Sequence, residues 1–125
     1  MRWDEWKFSA RRAGQDCFIL WTAIVTAVLF AAASAYFLIR MLPPGLETGA
    51  VILHYNIYLG IDEIVSWPWV FAVPGAALAV LAMDFGAALS IFRLDPLASR
   101  ILISLGFFSI LLWTIGCFFM VKVNL

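Results

Sequence analysis

The sequence predicts an all-α membrane protein: three transmembrane helices, with a partly β outer loop between the first and second. Three observations carry that prediction. Of the 125 residues, 65% are apolar and only 13% charged, against about 45–50% and about 25% in a soluble domain. Three stretches, 17–39, 70–92 and 101–121, contain no charged residue except Asp84. Each exceeds the roughly 20 residues a helix needs to cross a hydrocarbon core of about 30 Å. Between the first two, residues 51–62 alternate with the period of a strand. The hydrophobicity excludes a disordered chain. Eight Lys and Arg against eight Asp and Glu leave no basic surplus, which excludes a nucleic-acid partner.

Residues 1–16 form a cytoplasmic amphipathic tail. Trp3, Trp6, Ala10 and Ala13 share a helical face, with Asp4 and Glu5 in the first turn and Arg11 and Arg12 in the last. That order suits the helix dipole, and Trp at headgroup depth suits an interfacial helix.

Residues 17–39 form the first span, because backbone groups in lipid must be satisfied internally. Ala33-Ser34-Ala35 has the small-residue form of a signal-peptidase site. The tail before it is long and carries Asp4, Glu5 and Asp16, so the span is read as retained. Cys17 and Cys117 lie at opposite ends of their spans, roughly 20 Å or more apart. They are read as small apolar fillers rather than a redox pair.

Residues 40–69 are the outer loop. Pro43-Pro44-Gly45 reads as a turn. Residues 51–61 then read as one strand, with Val51, Leu53, Tyr55, Ile57, Leu59 and Ile61 on one face and His54, Asn56, Tyr58, Gly60 and the following Asp62 on the other. A lone strand leaves its backbone groups without partners. It must pair elsewhere in this loop or with another chain's edge, and its apolar face must be covered by headgroups or a partner. Glu63 to Trp69 is read as an interfacial segment.

Residues 70–92 form the second span. Ser66 can cap ahead of Trp67-Pro68-Trp69, and Pro74-Gly75 falls inside the apolar run, where it predicts a kink. Residues 93–100 are a cytoplasmic turn, with Asp95 as N-cap and Pro96 at the first helical position. Residues 101–121 form the third span, antiparallel to the second, and 122–125 an outer tail. Six of the Lys and Arg (Arg2, Lys7, Arg11, Arg12, Arg93 and Arg100) flank one side, whereas Arg40 and Lys122 flank the other. The positive-inside rule then places the N-terminus in the cytoplasm and loop 40–69 outside a bacterial cytoplasmic (inner) membrane.

Small residues mark helix-packing faces. Ala23, Ala27, Ala31 and Ala35 form a ladder on the first span; Ala79, Met83, Gly86 and Ser90 make a partly small face on the second; Ser109 and Gly116 do so on the third. The lipid bilayer is one partner. These faces suit either this chain's own helices or other membrane subunits, including self-association.

Asp84 is the ionisable group deep in a span. Charging a carboxylate there costs about 2.5–3.5 kcal/mol, so it must be neutral, paired or wet. At about 12 Å from the inner end it is level with Val25, Thr26 and Ser109, and a bond to Thr26 or Ser109 is the structural expectation. Contact with another subunit is the alternative, and proton or cation transfer a third.

His54, Asn56 and Asp62 invite a metal or catalytic reading. Asp62 lies about 26 Å from His54 along an extended strand, and both reach one ion only if Gly60 turns the chain back. With a single His and no Cys beside it, structural polar contacts are the reading here. No metal, cofactor or catalytic residue is assigned, and no small-molecule ligand is identified.

The segment Leu53 to Asp62, LHYNIYLGID, resembles the LHYNIY-x-GID signature of uncharacterised small multi-span membrane proteins from bacterial genomes. More distantly it is similar to the LPxxIPxHWNxxGxxD outer loop of the sporulation-delaying-toxin immunity family. His54, Asn56 and Asp62 match that spacing and Leu42-Pro43 its opening, while Gly60 is displaced by one position and the Ile-Pro is absent. The resemblance implies membership of a small membrane family and transfers no mechanism.

The function expected from these features is a non-enzymatic accessory or assembly subunit of a larger membrane complex. The alternatives are a ligand-binding or immunity-type protein acting through its outer loop, and a proton- or ion-coupled transporter component.

Overall fold

The computed structural model describes residues 3–56 and 60–124, with side chains omitted for 54–63. Three helices are long and apolar enough to cross a membrane, and a two-stranded sheet lies between the first and second. The order is α1 (Trp3–Ala13), α2 (Cys17–Thr48), β1 (Ala50–Asn56), β2 (Gly60–Ser66), a 3-10 turn (Trp67–Phe71), α3 (Ala72–Ile91) and α4 (Pro96–Asn124). The fold class read from the sequence is the one observed.

α1 forms on the tail as its charge order requires, and Trp3 stacks on Trp6 with centroids 5.3 Å apart. Its buried residues are Ser9 and Ala13. Asp16 caps α2 by accepting from the N–H groups of Phe18 (3.0 Å) and Ile19 (3.2 Å).

α2 is longer than the expected 17–39 span. It continues through Pro43 and Pro44, where a turn is expected from sequence, and ends at Gly49, whose φ of 75° gives a left-handed C-cap. Gly45 lies within the helix and serves packing instead. A Cβ there would lie 3.0 Å from Val51 Cγ1 and 3.2 Å from Trp67 Cβ.

The single strand expected over 51–61 is instead a hairpin. β1 and β2 pair antiparallel from Ala50↔Ser66 to Asn56↔Gly60, so the segment expected at the interface supplies the second strand. The register shifts between Ile52 and His54 and again between His54 and Tyr55, which interrupts the strict alternation. Val51, Leu53 and Val65 pack against Phe37 and Met41 of α2, Val70, and Cys117 and Val121 of α4. The chain's own bundle therefore covers Val51 and Leu53, the described part of this apolar face.

Ser66 precedes the 3-10 turn but makes no side-chain cap bond. That turn runs directly into α3, so Pro74 falls in the first turn of α3 rather than in mid-helix. Asp95 caps α4 as expected, accepting from Ala98 N–H at 3.0 Å, and Pro96 opens the helix. α4 packs along both α2 and α3. At the α1 end the core joins Ala13, Ile19, Ala88 and Ile103; at mid-depth it joins Ala77, Leu81 and Ile110.

Candidate functional site

Asp84 lies on the stripe of α3 that also carries Ala77, Leu81 and Ala88, all buried against the bundle. The residue opposite it on α4 is Gly106, not Ser109. A Cβ on Gly106 would lie 3.4 Å from Asp84 Cβ, 3.5 Å from its Oδ2 and 3.3 Å from Phe85 Cε1. The missing side chain makes room for a carboxyl at the α3/α4 seam. Asp84 itself remains half-buried.

The structural partners expected for Asp84 are not used. Thr26 is buried but donates to its own helix, at Thr22 O (2.6 Å). Ser109 is exposed, and neither it nor Asp84 has a hydrogen bond or ion pair among the described residues. Asp84 meets α4 about one helical turn from the level that the apolar limits of the spans give. α4 starts five residues before the expected span, at Pro96.

Beyond Asp84 the seam opens into a groove of about 340 Å³ lined by Val73, Ala76, Ala77, Val80, Ser109, Ile110 and Trp113. Val80 is one helical turn from Asp84. Trp113 stands at the other end of the groove, its ring 5.5 Å from that of Phe30. Trp113 Nε1 and Ser34 Oγ are buried without hydrogen-bond partners among the described residues.

The expected packing faces divide. Ala23 packs half-buried against the core at the α1 end. Ala27, Ala31 and Ala35 are exposed, because α2 turns Ile19, Thr26, Ala33, Phe37 and Met41 inward instead. Gly86 and Gly116 have open space where a Cβ would stand. Ser90 is half-buried and donates to Gly86 O at 2.6 Å. The glycine that permits close helix approach is Gly106; its spacing from Gly116 did not mark it in the sequence.

Of the hairpin residues singled out in the sequence, Tyr58 lies outside the described residues. The side chains of His54, Asn56 and Asp62 do too. The backbone turns back as a shared site would require: His54 is paired with Glu63 and Asn56 with Gly60, and Asp62 falls in the register shift beside them. The 26 Å separation along a single strand therefore does not apply.

Two polar clusters escaped the sequence reading. At the hairpin end, Asn124 near the end of α4 accepts from Ile52 N–H (2.9 Å) and donates to Ile52 O (2.8 Å) and Met120 O (2.9 Å). At the α1 end, Arg100 of α4 donates to Asp16 Oδ2 at 2.7 Å. That bond holds the Asp16 carboxyl below its ordinary pKa, against an opposing push from desolvation. Buried Ser9 donates to Leu89 O (2.7 Å) and accepts from Arg93 N–H (3.1 Å). Buried Ser99 donates to Ala88 O (2.7 Å). Single polar residues of this kind carry no spacing signal before the helices are docked. Compared with known protein families, curated proteins and solved structures, the chain matches none.

Proposed function

We propose that this chain is a non-enzymatic accessory or assembly subunit of a larger membrane complex. In this reading it lies in a bacterial cytoplasmic membrane with α1 on the cytoplasmic side and the hairpin outside. The observation that carries the reading is the ladder Ala27, Ala31, Ala35, which α2 turns away from its own bundle. Small residues at a spacing of four let another helix's backbone approach closely in lipid, where close packing drives association. The exposed basic residues Lys7, Arg11 and Arg12 on α1 support the orientation.

The test is native mass measurement in mild detergent. The chain is 14.0 kDa, and a discrete heavier assembly is expected. Ala31→Leu, which fills the ladder without touching the bundle, should shift the assembly toward the single chain at unchanged helix content. A stable, monodisperse 14.0 kDa species with no co-purifying protein overturns the reading.

A further inference from the structure

We propose that Asp84 is the contact point for a transmembrane helix of a different protein, one that carries a lysine or arginine at the same depth and seats along the α3/α4 seam. The inference rests on the subunit reading and adds which surface is used and what the partner must bring. A carboxyl at this depth needs a cation, a hydrogen-bond partner or a proton. Among the described residues it has neither of the first two.

Within the described structure the chain does not supply that partner. The hydroxyls of Thr26, Ser90, Ser104 and Thr114 donate to carbonyls of their own helices. No Lys or Arg lies within 17–39, 70–92 or 101–121. A second copy would therefore bring no cation to this depth, and by symmetry it would bring a second carboxyl. The complement of Asp84 is a basic side chain on another protein.

The surroundings give that side chain a way in. Asp84 is half-buried, so its carboxyl is open on one side. The groove one turn away is floored by Ala76 and Ala77, which admit a helix closely. A lysine stem lying along Val80 keeps its methylenes on apolar surface while the ammonium reaches the carboxyl. The exposed Ser109 hydroxyl in the same groove is a second polar contact. In a low-dielectric setting such a pair is much stronger than in water.

The probe is a polyleucine transmembrane peptide with one lysine at the depth of Asp84, compared with an all-leucine peptide. Association with the full chain is read by resonance energy transfer in phosphatidylcholine vesicles. The lysine peptide should bind at least about tenfold more tightly than the control. That preference should vanish in Asp84→Ala and Asp84→Asn and persist in Asp84→Glu, with helix content unchanged by circular dichroism. Equal binding of the two peptides overturns the proposal, as does a lysine preference that survives Asp84→Asn. Self-association that depends on Asp84 assigns the seam to a second copy and overturns it as well. A failure here leaves the alanine ladder and its mass measurement untouched. A monomeric native mass with the lysine preference intact would overturn the subunit reading alone.

Discussion

Ser9 joins two helices with one hydroxyl. Leu89 O belongs to the last turn of α3, whose carbonyls have no partner within the helix, and Ser9 supplies one while receiving Arg93 N–H. Ser9→Ala removes that donor and leaves a buried carbonyl unsatisfied, at a cost of roughly 1–3 kcal/mol. Earlier thermal unfolding in detergent and faster proteolysis of residues 3–13 are the expected results. Asp16 behaves differently because it titrates. Its folded pKa is depressed below 3.8, chiefly by Arg100. Its contribution to stability is therefore fully present above the unfolded value and is lost as pH falls through the lower folded value. Arg100→Gln should shrink the acid-side loss of stability below about pH 4, read by unfolding midpoints as the pH is lowered. These contacts join residues 80 or more positions apart. The sequence shows only that such residues are polar, not that they meet.

The hairpin depends on two devices. Gly45 lets α2 pass close under Val51 and Trp67; Gly45→Leu should push the hairpin off the helix and cost about 1–3 kcal/mol. Asn124 satisfies both outward backbone groups of Ile52. Asn124→Ala should leave them open and raise amide exchange at Ile52 with little change at α3. The elements were legible to different degrees. Three long uncharged runs and the Asp95-Pro96 start of α4 announce themselves locally, since length and capping chemistry suffice. The hairpin did not, because residues 53–62 alternate without a break and the register shifts appear only once the strands pair. Nor did the end of α2: Pro43-Pro44-Gly45 has turn composition, yet packing against the hairpin keeps those residues helical and moves the stop to Gly49.

For the molecule as a whole, α4 is the common partner of the other two long helices. Gly106→Leu would drive a side chain into Asp84 and Phe85, so it should separate α3 from α4 and destabilise the fold by about 1–3 kcal/mol. Unfolding in detergent should show it, alongside a milder Gly106→Ala. Asp84 was visible in the sequence as an intramembrane acid, whereas its neighbour was not, because depth along separate spans does not fix which faces meet. The Asn124 clamp also sets an order of events during synthesis. Ile52 waits 72 residues for the side chain that closes its edge. By then α3 and α4 must both have been inserted. The nascent hairpin thus spends the insertion of two helices with one edge unsealed, open to any extended segment nearby. The arrival of the end of α4 closes that edge at Ile52.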